Sequence, residues 1–384
     1  MRPEEFEIFI TCVPGLEDEL LNEIQELGCK NTKLTSGGVE IVGGWHDVWR
    51  TNYYLRGATK VLVRFASFRA VHLSQLDKRS HKLDWEKLLK FRKPFKVETV
   101  CRKSKIYHSK AASQRISKAI SDKLDAKEDP NSMIMVKARI ASDLCTISLD
   151  SSGEGLHKRG YKTATGKAPI RETLAALFLR KMKFNGSQVV YDPMCGSGTI
   201  VIEAAEIALG LPAGRQRNFA FMELPSFKKN EYKELTKVEP KKNKLKFYGS
   251  DRDDGAILNS IKNAKKANVE TICQFETSSI SGATPPTQEP GIVLVNPPYG
   301  KRVGNRKSLF ALYRSLGQTL SEKFDGWQVG IITSDPGLAK ATGLKFLDIS
   351  SPVDNGGIKV QLLSLIHISE PTRQEAISYA VFCL

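Results

Sequence analysis

The residues best suited to chemistry form one short stretch, Asn296-Pro297-Pro298-Tyr299, which directly follows the apolar run 292–295. The apolar run predicts a buried strand, and the two prolines predict a rigid turn that ends it. Because proline has no N–H, the backbone of this turn presents carbonyl acceptors. Asn296 adds an amide oxygen, and Tyr299 adds an aromatic face with a polar tip. Acceptors beside a flat ring fit a planar group with an exocyclic amine, for which a nucleobase is the obvious candidate.

About a hundred residues earlier, a second stretch predicts a loop that binds a ligand. A buried strand predicted over 188–191 is followed by Asp-Pro-Met-Cys-Gly-Ser-Gly-Thr at 192–199, and then by a helix over 200–209. A glycine loop between a strand and a helix presents backbone N–H groups and a helix N-terminus. The loop lacks the Gly-Lys-Ser/Thr of a P-loop, which argues against a nucleoside triphosphate. Asp192 is expected either to accept hydrogen bonds from a ligand ammonium or to orient the loop.

A carboxylate ends the next predicted strand, 245–248, which runs into Gly249-Ser250-Asp251. Asp251 is placed to bind ribose hydroxyls. The N-cap of the following helix is assigned to Asp253 instead. Between the glycine loop and this strand lies an insertion over 211–244, whose Phe221 is expected to pack on the fold and whose basic residues are candidates for contacts with a polyanion.

The remaining pattern supplies the elements around these motifs. A helix with an acidic first turn and strands over 39–42 and 60–66 predict a small α+β unit near the N-terminus. A short helix is predicted over 85–91. Further on, an amphipathic helix over 109–124 precedes paired strands over 133–140 and 144–149. Near the C-terminus, segments 345–349 and 358–363, joined through 354–357, predict a closing hairpin.

The charge is unevenly distributed along the chain. The 384 residues carry a net charge of +16, and residues 51–150 hold 22 basic and 10 acidic side chains. A basic segment suggests a polyanion partner, most directly nucleic acid, although a solvated surface is the alternative. On the helix over 109–124, Lys110, Arg115 and Lys118 lie largely outside the apolar face and are predicted to contact such a partner.

Composition excludes several classes of protein. No apolar run approaches the roughly 18 residues of a membrane span, and the acidic N-terminus does not resemble a signal peptide. The seven cysteines are scattered without a Cys-x-x-Cys pair, so neither a disulfide framework nor a metal site is expected. A reducing cytoplasm fits this composition best.

The motifs together resemble a known family. Glycine loop, acidic residue and Asn-Pro-Pro-Tyr, in this order, look like a class I S-adenosylmethionine-dependent methyltransferase. More specifically, the stretches 193–199 and 296–302 resemble those of the THUMP-containing RNA guanine-N2 methyltransferases, and the likeness covers about residues 6–363. Its N-terminal part looks like a ferredoxin-like domain followed by a THUMP domain, on the basis of Gly15-Leu16-Glu17, Gly37-Gly38-Val39-Glu40, Tyr54-Leu55-Arg56 and the stretch 85–149.

The resemblance implies an α/β fold class, in which a Rossmann-like methyltransferase domain follows α+β ferredoxin-like and THUMP domains. The predicted boundaries are 1–58 for the ferredoxin-like domain, 59–152 for the RNA-binding THUMP domain, 153–167 for a linker and 168–363 for the methyltransferase domain. Residues 364–384 look like translated sequencing-adapter read-through and are suspected to be non-native, the alternative being a genuine apolar C-terminal strand.

Site residues follow from the same resemblance. Asn296, Pro297 and Tyr299 would hold the base, with a catalytic role. The cofactor S-adenosylmethionine would be bound by residues of the glycine loop, the acidic strand end and the helix predicted over 168–184, namely Asp192, Met194, Cys195, Gly196, Ser197, Gly198, Thr199, Asp251, Arg171 and Glu172. Lys301 and Arg302, directly after the turn, are predicted to bind RNA phosphates. Which residue faces the cofactor adenine is left open, because the acid that the family places near the end of the third strand is not obvious in Phe275-Glu276-Thr277-Ser278-Ser279.

The family implies methyl transfer to the exocyclic N2 amine of a guanine in structured RNA. Bacterial members modify large-subunit (23S) ribosomal RNA, whereas archaeal and eukaryotic relatives modify transfer RNA. An adenine-N6 methyltransferase of DNA or RNA is an alternative, since the same turn chemistry serves either amine. A non-catalytic RNA-binding module is the alternative from another class. No membrane partner is expected.

Overall fold

The computed structural model describes residues 5–162, 170–299 and 306–365. Backbone contacts divide the chain into two compact units: residues 1–160 with 212–238 form the first, and residues 161–211 with 239–384 form the second. The insertion predicted over 211–244 thus belongs largely to the first unit. The domain boundaries expected from the sequence stay predictions.

Fifteen strands and ten helices lie within the described residues. The strands are β1 Phe6–Thr11, β2 Lys33–Thr35, β3 Gly38–Gly43, β4 Lys60–Arg69, β5 Lys96–Arg102, β6 Met135–Ala141, β7 Leu144–Asp150, β8 Val190–Asp192, β9 Phe247–Asp251, β10 Cys273–Thr277, β11 Ile292–Val295, β12 Gln328–Thr333, β13 Asp348–Ile349, β14 Val353–Asn355 and β15 Ile358–Leu365. The helices are α1 Glu17–Glu26, α2 Trp45–Tyr54, α3 Leu73–Ser80, α4 Ser109–Leu124, α5 Glu172–Lys181, α6 Thr199–Ala208, α7 Lys229–Leu235, α8 Asp254–Lys266, α9 Arg306–Lys323 and α10 Pro336–Ala341.

The first unit is built on one seven-stranded sheet in the order β2-β3-β1-β4-β7-β6-β5. All its neighbours are antiparallel except β5 and β6. Side chains alternate between the two faces of the sheet along each strand. On the buried face, Ile8 and Ile10 of β1 lie opposite Val63 and Val61 of β4. Because β4 pairs with β1 on one side and β7 on the other, a single sheet runs through both predicted N-terminal domains.

The insertion contributes an aromatic cluster to this unit. Trp49 of α2 lies 6.3 Å from Phe221, 5.8 Å from Phe227 and 6.3 Å from Tyr232, measured between ring centroids. Phe221 therefore packs on the fold, as the sequence predicted. Phe227 and Tyr232 meet Trp49 edge-to-face, a geometry that adds a specific contact to their apolar burial.

Arg217, one of the basic residues of the insertion, organises the chain rather than projecting from it. Its guanidinium donates to the carbonyl oxygens of Glu154 and Gly155 at 2.8 Å each, and to those of Lys158 at 3.0 Å and Ser152 at 3.3 Å. Burial lowers the Arg217 pKa to about 10, so the group stays charged at neutral pH. Residues 152–158, most of them within the segment predicted as a linker, are thus held to Arg217 of the insertion.

The second unit contains an eight-stranded sheet in the order β10-β9-β8-β11-β12-β15-β13, with β14 paired to β15. The five strands β10, β9, β8, β11 and β12 are parallel to one another, and β15 runs antiparallel to β12. This confirms the expected Rossmann-like α/β fold. The strand order reverses between β8 and β11, and ligands of such sheets bind outside the carboxyl ends of the strands at that point.

Three local predictions differ from the structure. Helix α3 was not predicted, because its eight residues include only two leucines among polar side chains. The helix expected over 85–91 is reduced to a 3-10 turn, Trp85–Lys87. The segment 345–349 does pair with β15, through Ile349 opposite Leu363 in β13, but β15 also pairs with β14, which was not predicted, because Gly356 and Gly357, at φ of +67° and +90°, form a tight turn between them.

Strand β15 ends at Leu365, where Ser364 and Leu365 pair with Gly330 and Val329 of β12. The first two residues of the suspected non-native tail therefore continue a strand, and residues 366–384 lie outside the described part. Within the described ranges, no helix combines the length and apolar character that a membrane crossing requires.

Candidate active site

The sheet brings the two sequence motifs to one edge. Strands β8 and β11 are parallel neighbours, with Val190 opposite Ile292 and Tyr191 opposite Val293. The glycine loop after Asp192 and the turn that begins at Asn296 therefore leave adjacent strands at the same end of one sheet. Two ligands held by these segments would lie side by side.

The two glycines of the loop have different surroundings. Both are left-handed, at φ of +55° for Gly196 and +80° for Gly198. A Cβ on Gly198 would lie 3.1 Å from Ser260 and 3.2 Å from Phe275, whereas a Cβ on Gly196 would meet no atom within 4 Å. Gly198 is thus packed against the protein, while the space beside Gly196 is open to a ligand.

Helix α8 holds the loop through two side chains that the sequence analysis missed. Ser260 donates to the carbonyl oxygen of Gly196 at 2.8 Å, and Asn263 donates to that of Ser197 at 3.0 Å. Both side chains are buried. The available signal was polar residues at three-residue spacing on a helix face that also buries Ile257.

Asp251 ties strand β9 to the same loop. One carboxylate oxygen accepts from the N–H of Gly196 at 3.0 Å, and the other accepts from the N–H of Asp253 at 3.1 Å. Each oxygen keeps a further lone pair with which to accept a ligand hydroxyl. Asp253 caps α8 by accepting from the N–H of Gly255 at 2.8 Å, as the sequence predicted.

Asp192 is the most perturbed acid of the site. Its side chain is buried and accepts from the N–H of Met194 at 3.1 Å. Burial raises its pKa to about 8; the nearby charge of Asp251 adds to the rise, and the Met194 N–H opposes it. A carboxyl group in this position would regain its charge beside a cation, which fits a ligand that carries an ammonium and a sulfonium.

The other loop residues contribute backbone and packing. Cys195 donates its N–H to the carbonyl oxygen of Ser250 at 2.9 Å, and burial raises the pKa of its thiol far above the ordinary value. A thiol held neutral in this way is not a nucleophile at neutral pH. Ser197 is buried, and Thr199 is the first residue of α6.

Helix α5 brings its first turn to the same unit. Arg171 is the N-cap of α5, and Glu172 is buried. The Glu172 carboxylate lies 3.0 Å from the Nζ of Lys162, which also donates to the hydroxyl of Thr199 at 2.8 Å. Two predicted cofactor residues are thus joined by a lysine that the sequence analysis did not single out.

The turn after β11 is rigid and largely enclosed. Pro297 and Tyr299 are buried, and Asn296 is half-buried directly after the strand. Asn355 of β14 donates to the Tyr299 hydroxyl at 3.2 Å, and burial raises the Tyr299 pKa, which keeps the phenol neutral. Asn355 was missed, because an Asn before Gly-Gly was interpreted only as turn chemistry. Lys301 and Arg302 lie outside the described residues.

Two known protein families match different parts of the chain. The family described as "RMKL-like, methyltransferase domain" matches residues 159–362, which is more than half of the chain. The chain belongs to this methyltransferase family. A second family, described as "RlmL ferredoxin-like domain", matches residues 7–62.

Two curated relatives of this methyltransferase illustrate the likeness. "Putative RNA methyltransferase slr0064" of Synechocystis sp. is 30% identical, over 92% of this chain and 95% of that protein. "Ribosomal RNA large subunit methyltransferase K/L" of Marinobacter nauticus is 32% identical, over 92% of this chain and 52% of that protein. The chain therefore spans about half the length of the K/L relative.

A solved structure gives the cofactor of the fold. SMU.472, described as "a putative methyltransferase", was crystallised with S-adenosylhomocysteine; it is 26% identical and superposes with a TM-score of 0.83, over 96% of this chain and 99% of that one. The expectation of S-adenosylmethionine as cofactor is thereby confirmed at the level of family and fold. Among the residues that the structure describes, no group of three or more His, Cys, Asp and Glu side chains could hold a metal ion.

Three of the predicted RNA contacts of this methyltransferase lie on helix α4 of its first unit. Helix α4 has the predicted bounds and buries Ala112, Ile116 and Ile120 along its apolar face. Lys110, Arg115 and Lys118 are exposed on it, with Arg115 3.9 Å from a carboxylate oxygen of Asp77. Their role in RNA binding stays a prediction.

Proposed function

We propose that this methyltransferase transfers the methyl group of S-adenosylmethionine to the exocyclic N2 amine of a guanine in structured RNA, namely large-subunit ribosomal RNA. The observation that carries this proposal is the adjacency of β8 and β11, which places the loop after Asp192 beside the turn at Asn296. The names of the Synechocystis and Marinobacter relatives support RNA as the substrate class.

The Asn296 turn is suited to activating an aromatic amine. The lone pair of such an amine is delocalised into the ring, so the amine is a poor nucleophile. The Asn296 side-chain oxygen and the Pro297 carbonyl would accept its two hydrogens, favour a pyramidal nitrogen and stabilise the positive charge that develops on it. The turn can deliver both acceptors without reorganisation, because two prolines fix its backbone.

The amine does not have to lose a proton to a general base with a shifted pKa before the methyl group is transferred. The cofactor, when bound, supplies an electrophilic methyl on a positively charged sulfur. The nitrogen–carbon bond forms as the carbon–sulfur bond breaks, and the extra proton on nitrogen then leaves to water. The protein's task is to hold the nitrogen roughly 3–3.5 Å from the methyl carbon. Tyr299 would assist by stacking on the base, a contact worth about 1–3 kcal/mol.

Adenine N6 is the second candidate acceptor. Its amine offers the same two hydrogens, so the acceptors at Asn296 and Pro297 do not discriminate between the bases. A basic first unit favours RNA over a small-molecule substrate, since residues 51–150 carry 22 basic and 10 acidic side chains. The intact glycine loop, with Asp192 and Asp251 in place, argues against a module that only binds RNA.

Nucleoside mass spectrometry tests the proposal. The purified protein and methyl-labelled S-adenosylmethionine are incubated separately with unmodified large-subunit ribosomal RNA, transfer RNA and duplex DNA. We expect labelled N2-methylguanosine in the ribosomal RNA alone. Labelled N6-methyladenosine would show that adenine N6, the second candidate, is the acceptor. Label in transfer RNA would show that transfer RNA, rather than ribosomal RNA, is the substrate. If S-adenosylhomocysteine binds but no nucleic acid is labelled, the acceptor assignment is wrong.

A further inference from the structure

Lys162 lies between two elements of the cofactor side of the second unit. Its Nζ is 3.0 Å from a carboxylate oxygen of Glu172, in the first turn of α5, and 2.8 Å from the hydroxyl of Thr199, at the start of α6. The Lys162 side chain is 12% exposed and that of Glu172 is 5% exposed. The cluster is therefore largely shielded from water, where charge-assisted hydrogen bonds are strong.

Thr199 connects this cluster to the loop that holds the cofactor. Gly198 is the N-cap of α6, and its carbonyl oxygen accepts the N–H of Ile202 at 2.9 Å. The N–H groups at the start of a helix have no intrahelical partners and form the surface offered to a ligand. A contact that fixes Thr199 therefore fixes the helix end that follows the open space beside Gly196.

The loop already has two supports on its other side. Ser260 and Asn263 hold the carbonyl oxygens of Gly196 and Ser197 from α8. Within the described residues, no side chain of α8 forms a hydrogen bond with Thr199, and Lys162 supplies the support from the α5 side. The loop is thus held from the α8 side and from the α5 side.

We propose that Lys162 is a positioning residue for S-adenosylmethionine: it ties the first turn of α5 to the start of α6 and holds the glycine loop in its binding geometry. Without the ammonium, Glu172 keeps a buried carboxylate next to the helix end and Thr199 loses its donor. A buried charge that loses its partner is costly, so the first turns of both helices shift. Cofactor affinity falls as a result, whereas the Asn296 turn is unaffected.

Calorimetric titration with S-adenosylhomocysteine tests the role without reference to the methyl acceptor, so the result stands apart from that of the guanine assignment. Lys162→Met should raise the Kd by about tenfold or more. Thr199→Val, which removes only the hydroxyl, should raise it by about threefold or more. The double variant should bind no more weakly than Lys162→Met alone, because both changes break one chain of contacts.

The controls separate positioning from general stability. Lys262→Met removes an exposed lysine from α8 and should leave the Kd unchanged. Lys162→Arg, which keeps the charge, should recover part of the affinity. With RNA as substrate, Lys162→Met should raise the KM for S-adenosylmethionine and leave kcat at saturation within about twofold.

Two results would overturn the assignment. A Kd like that of Lys262→Met in both Lys162→Met and Thr199→Val, accompanied by a lower Tm, would make Lys162 a purely structural ion pair. Additive losses in the double variant would show that lysine and threonine act separately. If Lys162→Met does not fold, Thr199→Val alone decides, because it keeps the ion pair between Lys162 and Glu172 and removes only the hydroxyl that accepts from Lys162.

Discussion

The glycine loop and the Asn-Pro-Pro-Tyr turn end adjacent strands, yet they are held in different ways. The loop is flexible by composition and is fixed by hydrogen bonds from its neighbours, which include Asp251, Ser260 and Asn263. The turn is fixed by its own two prolines, and a hydrogen bond from Asn355 reaches its tyrosine.

The difference indicates what each segment can do. A loop supported through hydrogen bonds presents N–H groups and open space, which suits a ligand that must bind and leave at each turnover. A turn fixed by covalent rings presents carbonyl acceptors at fixed positions, which suits the stabilisation of developing charge. Changes around the loop should therefore alter affinity for the cofactor, and changes in the turn should alter turnover.

The largest effect is expected at Gly198, because a methyl there meets Ser260 at 3.1 Å and forces a left-handed alanine. Gly198→Ala should weaken S-adenosylhomocysteine binding by about a hundredfold and lower the Tm. Gly196→Ala is the matched variant: its backbone strain costs about 1–2 kcal/mol, but its methyl meets no protein atom within 4 Å. If Gly196→Ala kept full affinity, the open space beside that glycine would not be the ligand site.

Asn296→Ala tests the other half of the comparison. Loss of the side-chain acceptor should lower turnover by at least about tenfold while the Kd for S-adenosylhomocysteine stays within about twofold. Single-turnover kinetics with saturating cofactor measure the first, and calorimetry measures the second. A variant that loses affinity but keeps its rate would reverse the roles given to loop and turn.

The secondary-structure elements and the contacts that support the site were predictable from the sequence to different extents. Strand β11 and helix α4 have the predicted bounds, because apolar periodicity and the following prolines mark them locally. The supports of the site were not predicted. Ser260 lies 64 residues from Gly196, and Asn355 lies 56 residues from Tyr299. A contact between residues so far apart in the chain leaves no periodic trace in one sequence.

Lys162 was hidden for a further reason. It falls in a stretch rich in glycine, serine and basic residues, which was interpreted as a solvated linker. In the structure Leu156, Arg159 and Tyr161 of that stretch are buried. Composition gives an average over a segment, whereas the alternation of buried and exposed side chains within it depends on the surface against which it packs.

A smaller effect is expected at Asn355, which acts on the turn through Tyr299. Asn355→Ala removes the 3.2 Å hydrogen bond to the phenol and should lower kcat/KM for RNA by about three- to tenfold, as expected for one neutral hydrogen bond. Tyr299→Phe removes the same bond from its other side, so the double variant should be no worse than either single one. Additive losses would place Asn355 in a separate role, and a change in cofactor Kd would connect the hairpin to the loop.

The smallest effect concerns the proton on Asp192. With its pKa raised to about 8 by burial, the carboxyl is largely protonated at pH about 6.5 in the ligand-free protein. A ligand ammonium favours the carboxylate, so binding should release up to about one proton and affinity should rise several-fold as pH increases toward about 7.5. Calorimetry in buffers of different ionisation enthalpy counts that proton, and Asp192→Asn should release none.

The sign for stability runs the other way. In the unfolded chain the Asp192 carboxyl ionises near its ordinary pKa of about 4, so between pH about 4 and 8 the folded state binds more protons than the unfolded state. The free energy of unfolding of the ligand-free protein should therefore fall as pH rises across this range. Asp192→Asn should flatten the profile, and saturating S-adenosylhomocysteine should flatten it as well. A profile that is already flat without the ligand would mean that Asp192 is ionised in the free protein, and that its charge is balanced by the loop rather than by the cofactor.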